Sequence, residues 1–145
     1  VLPIRVPPLR ERRADIPALI EVLGEDLALR NGTAPPELLP DAMALLAGQA
    51  WRGNIRELRN VLEQVAMRSD AFAIGAAEVE AVLAHELAHE LLHRTERRKE
   101  TTKTIRELEA EAVAFVVCRS AGLEMPSLAN GERTKYSLVM TLGTA

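Results

Sequence analysis

Apolar residues recur at helical spacing along most of this chain, and the breaks between periodic stretches divide it into elements. Pro3, Pro7 and Pro8 keep the opening VLPIRVPPLRERRADIP extended. Asp15 then stands as an N-cap with Pro17 in the first turn, and Ile16, Leu19, Ile20, Leu23 and Leu27 predict a helix over about residues 16–30. Asn31 and Gly32 suit the left-handed turn that ends it. A short helix follows from about Pro40, with Met43, Leu45 and Leu46 inward, and closes at Gly48 and the WRGN turn. Asn54 is placed as the N-cap of a third helix carrying Ile55, Leu58, Val61, Leu62 and Val65. From Ala76 to about Arg94 no breaker interrupts the pattern, which predicts one continuous helix. After a polar KETTK connection, TIRELEAEAVAFVVCRSAG reads as a final helix capped by Thr104 and closed by Gly122. Beyond Met125 the period is lost, and KYSLVMTL is the one candidate strand.

Composition agrees with helices. Of 145 residues 48% are apolar but only 3% aromatic, so the core must be built from Ala, Leu and Val. A net charge of −3 excludes nucleic-acid binding through bulk charge, and no direct DNA contact is expected. No apolar run approaches membrane length, and no signal peptide opens the chain. Cys118 is the single cysteine, so a reducing bacterial cytoplasm is the expected setting. The first 80 residues carry arginine and no lysine, whereas Lys99, Lys103 and Lys135 all come later. The motifs change character at the same place, which divides the chain into residues 1–82 and 83–145.

In the first part, LPIRVPPLRERRADIPALI followed by WRGNIRELRNVLEQVA resembles the sigma-54-dependent AAA+ transcription activators. The resemblance covers roughly residues 1–80 and implies the helical lid that closes over a nucleotide. By position it makes Arg56 the sensor that forks onto phosphate oxygens; read from the residues alone, Arg56 is a solvated helix residue. The stretch holds no G-x-x-x-x-G-K-[ST] loop and no acidic strand-end pair for magnesium. ATP is therefore not expected to bind without an ATPase core, and the chain is not expected to be a competent ATPase.

The second part contains AHELAHELLH, with His85, His89 and His93 each four residues from the next. His85-Glu86-Leu87-Ala88-His89 is the H-E-x-x-H pattern. Two histidines four apart share a helix face about 6 Å apart along the axis, within reach of one zinc ion. Glu86 is placed to polarise a metal-bound water and move its proton. His93 lies about 12 Å from His85 along a straight helix, too far to share the ion. The third ligand is expected from the final helix, where Glu107 and Glu111 lie one turn apart and Glu109 points elsewhere. Glu107 is assigned to the metal and Glu111 to orienting a ligand, with the reverse left open.

LAHELAHELLHRTERR with RELEAEAVAFVVCRSAGLE resembles the zincin-like domain of ArdC-type antirestriction proteins and the ImmA/IrrE metallopeptidases, over roughly residues 83–124. That resemblance implies one zinc per chain and a gluzincin-type peptidase site at His85, Glu86, His89 and Glu107. The β-sheet that precedes such a helix, and holds a peptide substrate, has no counterpart before residue 84.

The expected fold is mainly α: an AAA+ lid-like bundle continuing into a zincin-like helix pair, with a short C-terminal strand. Three functions compete. The first is a zinc-binding, metallopeptidase-like segment joined to a non-ATPase lid, with weak or absent cleavage of peptides. The second is a sigma-54-dependent regulator fragment acting on AAA+ activator subunits by protein–protein contact. The third is an inactive product of recombination.

Overall fold

The computed structural model describes residues 3–68, 73–93 and 97–123. It is mainly helical and divides into two compact units, Val1–Val79 and Glu80–Ala145. The expected KYSLVMTL strand lies outside the described residues.

The first unit begins with two 3-10 turns, Leu9–Glu11 and Arg13–Asp15, which lead into α1 (Ile16–Asn31). Asp15 is itself helical at φ −83°, ψ −14°, and its side chain makes no capping bond. It holds the expected N-cap position without the side-chain bond, because the preceding turn already brings the chain in with helical geometry. Gly32 at φ 66° ends α1, and the Thr33 N–H reaches the Ala28 carbonyl at 3.0 Å, as the sequence implied. A two-residue strand β1 (Glu37–Leu38) follows, then α2 (Pro40–Gly48) and α3 (Asn54–Arg68). A second two-residue strand, β2 (Ala73–Ile74), pairs in parallel with β1 in the register Glu37–Ala73 and Leu38–Ile74. Strands this short carry no period in sequence, so the pairing was not anticipated.

Helix α4 runs unbroken from Ala76 to Leu92, as its pattern predicted. Its start is fixed by Glu78, whose carboxylate takes the Gly75 N–H at 3.0 Å, half of a capping box. Asp41 of α2 takes the Ala76 N–H at 3.3 Å.

The core of this unit collects Leu9, Ile16, Ala42, Leu46, Leu58 and Val79, all without solvent exposure. Trp51, the one tryptophan, is buried among the largest core side chains, and its indole N–H donates to the Leu46 carbonyl at 2.8 Å. Burying an indole is favourable only with such a partner. On one flank Asp26 of α1 accepts from Arg59 of α3 and pairs with Arg30 at 3.2 Å.

The WRGN turn carries the backbone strain. Trp51 (φ 44°) and Asn54 (φ 55°) both occupy the left-handed region, which costs about 1–2 kcal/mol for most residues. Asn tolerates it best after Gly. Asn54 does not cap α3, as expected from its position; its Oδ1 accepts the Leu9 N–H at 2.8 Å, across 45 residues. Glu57 reaches back to the Gly53 N–H at 2.8 Å instead.

The second unit contains the rest of α4, a single turn α5 (Arg97–Glu100) and α6 (Lys103–Ser120). The cap of α6 is Thr102, whose hydroxyl accepts the Ile105 N–H at 3.3 Å, two residues before the expected Thr104. Arg106 secures the approach by donating to the carbonyls of Arg98 and Thr101. Gly122 at φ 76° closes the helix, with the Leu123 N–H on the Cys118 carbonyl at 2.9 Å.

Asn54 offers a test of this account. Asn54→Gly removes the acceptor for Leu9 but keeps the left-handed backbone at little cost, whereas Asn54→Ala loses both. The alanine variant should be the less stable of the two by about 1 kcal/mol. Urea unfolding followed by Trp51 fluorescence measures this, since that signal reports the first unit alone.

A candidate metal centre between two helices

Both helices of the second unit bury small residues. Ala81, Ala88, Ala110, Ala114 and Cys118 are all at most 7% exposed. His85 and His93 lie among them, at 2% and 5% exposure, and are the buried polar residues among those described. A buried imidazole is costly without partners, and each of these has a carboxylate from α6.

The four-residue repeat of α4 stacks the three rings. His85 Nε2 and His89 Nε2 stand 3.0 Å apart, their rings edge to face. Glu107 Oε2 completes a triangle, 3.4 Å from His85 Nε2 and 3.5 Å from His89 Nε2. These three side chains form the candidate metal-ligand group found among the described residues. The Glu107 side chain is half exposed, so the triangle opens towards solvent on that side.

The remaining carboxylates take other places. Glu111 Oε2 lies 2.9 Å from Nδ1 of His85, on the ring edge away from the triangle, and its side chain is only 12% exposed. Glu109, expected to point elsewhere, instead meets Nε2 of His93 at 2.8 Å. His93 turns its other nitrogen, Nδ1, to His89 Nδ1 at 3.1 Å, and so does not face the triangle. Glu86 is partly exposed on α4, close enough for its charge to act on His89.

The surroundings of His89 favour its neutral ring. Burial pushes the imidazole of His89 below its ordinary range and His85 beside it adds to this, while Glu107 and Glu86 pull the other way. A lowered value leaves the lone pair of His89 available at neutral pH. Burial, with Glu80 as a lesser cause, raises the thiol of Cys118, which keeps it protonated and a poor metal ligand.

Arg56 is in the first unit, exposed on the first turn of α3. Its helix is amphipathic, with Leu58, Val61, Leu62 and Val65 buried, which leaves the guanidinium on the outer face.

The sequence matches the model of the AAA+ ATPase lid domain over residues 10–103. The chain belongs to this lid family. The matched stretch includes all of α4 and His93 just after it, and ends at Lys103, the first residue of α6. Glu107, Glu109 and Glu111 therefore lie beyond it. The lid is 45% identical to the nitrogen assimilation regulatory protein NtrX of Azorhizobium caulinodans over 65 residues, which are 45% of this chain and 14% of that protein. It is 34% identical to the transcriptional regulatory protein ZraR of Klebsiella oxytoca over 122 residues, 84% of this chain and 27% of that one. The crystal structure of NtrX from Brucella abortus is similar at 27% identity and a TM-score of 0.52, with 94% of this chain and 34% of that chain covered. The chain thus spans about a third or less of these relatives.

The buried alanines yield a direct prediction. Ala110 is fully buried, and Ala110→Leu should overpack its surroundings at a cost of about 1–3 kcal/mol. Thermal unfolding by circular dichroism should show the loss, and Leu at exposed Val116 should show none.

Proposed function

We propose that this lid serves a sigma-54-dependent transcription regulator and works by contact with AAA+ activator subunits. The match to the lid model over residues 10–103 carries this reading, and the regulatory proteins it resembles agree with it. The exposed position of Arg56 suits a guanidinium that reaches a nucleotide held by another domain. In this reading the lid contributes a phosphate contact and a docking face, and hydrolysis belongs to the core it covers. The full chain should co-purify with an intact activator of this class. With residues 10–103 grafted in place of that activator's own lid, Arg56→Ala should lower ATP turnover about 10- to 100-fold, the worth of one charge-assisted hydrogen bond. Unchanged turnover in the grafted variant would contradict the role of Arg56.

A second reading rests on the triangle of His85, His89 and Glu107. Ligand atoms about 2.0–2.1 Å from one zinc ion at tetrahedral angles stand about 3.3–3.4 Å apart, and the observed separations are 3.0, 3.4 and 3.5 Å. Two imidazole lone pairs facing each other at 3.0 Å repel unless a proton or a cation lies between them. We therefore propose one zinc per chain, held by these three residues, with a fourth position towards solvent. Zinc there would polarise a water molecule. Glu111, 2.9 Å from Nδ1 of His85, is the carboxylate that would take that nitrogen's proton and leave Nε2 the free lone pair. Glu86 is the residue placed to move a proton.

The described residues before α4 include no strand beyond the two-residue β1 and β2 to align a peptide. Any cleavage of peptides is expected to be weak. Purified chain should contain zinc at about one ion per molecule. His85→Ala and Glu107→Ala should each lose it, and Glu86→Gln should keep it. Metal analysis showing no zinc in the wild type would refute this second reading and leave the lid reading untouched.

A further inference from the structure

Neither proposed role uses His93 or Glu109, yet burying His93 at 5% exposure against a carboxylate is a costly arrangement to keep. Resting on the zinc reading, we propose that His93 and Glu109 are positioning residues that select the tautomer of His89 which can bind metal. A ring that offers Nε2 to an ion must carry its proton on Nδ1. The Nδ1 of His89 stands 3.1 Å from Nδ1 of His93, which must then accept that proton's hydrogen bond. An accepting Nδ1 in a neutral ring places the proton of His93 on Nε2, and Nε2 lies 2.8 Å from the Glu109 carboxylate. A carboxylate accepts and does not donate, so Glu109 fixes one tautomer of His93, and His93 fixes one tautomer of His89.

The converse shows why both members are needed. Without Glu109 the proton of His93 is free to move to Nδ1. Two N–H groups would then face each other at 3.1 Å, and His89 relieves the clash by shifting its own proton to Nε2. That is the nitrogen which faces His85 and Glu107, so the metal position is blocked. His85 has a carboxylate, Glu111, 2.9 Å from its Nδ1, whereas His89 meets a histidine there and reaches a carboxylate only through it.

The test uses the full chain and zinc alone, with affinity measured by competition against a chromophoric chelator. Partners of this kind change metal affinity by about 10- to 100-fold, so His93→Phe, which keeps the bulk of the ring, should weaken zinc by that factor. Glu109→Ala should weaken it by a similar or smaller factor. The double variant should be no worse than His93→Phe, because Glu109 acts only through His93. His93→Asn, whose amide oxygen can take the His89 N–H, should recover most of the affinity and remains informative if the phenylalanine variant does not fold. Cobalt in place of zinc should give a shifted visible spectrum in His93→Phe and a near-native one in His93→Asn. Wild-type affinity in His93→Phe, or losses that simply multiply in the double variant, would overturn the relay while the zinc site stands. A wild type that binds no zinc would overturn both.

Discussion

A straight helix returns to the same face every four residues, about 6 Å farther along, and this repeat governs the second half of the chain. On α4 it places His85, His89 and His93 in a row. On α6 it places Glu107 and Glu111 on one line. A carboxylate at every second residue of Glu107-Leu108-Glu109-Ala110-Glu111 then covers the rest of the row. Neither row could hold an ion by itself, because one helix offers only two neighbouring rings. The candidate site lies where Glu107 meets His85 and His89.

The division of labour between the rows bears on what the chain is. The histidines belong to a stretch that matches the AAA+ lid model, and the glutamates come after it. In the first unit, the lid's own fold depends on a different set of interactions: Trp51 on the Leu46 carbonyl, Asn54 on the Leu9 N–H, and Asp26 with Arg59. None of these involves a histidine. A metal centre in the second unit is therefore compatible with a working lid, and the phosphate-sensing role suggested for Arg56 does not compete with it for residues.

Much of this was legible in the sequence. Helix boundaries followed from periodicity and breakers within a few residues, and the turn at Gly32 and the unbroken course of α4 were read correctly. The four-residue spacing restricts where His85, His89 and Glu107 can reach, and the structure has their ligand atoms within 4.8 Å of one another. What was missed involved partners far away in the chain. Asn54 looked like a cap because it precedes a periodic stretch, but its acceptor is used by Leu9. Thr102 and Thr104 are chemically equal caps, and only the approach of the chain, held by Arg106, distinguishes them. Glu109 was sent to the far side of α6 by helical spacing. His93 extends one turn beyond His89 and meets it there, a contact that depends on how the two helices lie side by side.

X-ray absorption at the zinc edge of the metal-loaded chain tests the central claim most directly. The account predicts a four-coordinate ion with two imidazole nitrogens at about 2.0–2.1 Å and carboxylate and water oxygens completing the shell. Scattering from three imidazoles would bring His93 into the shell and contradict the account, as would a six-coordinate ion held only by oxygen.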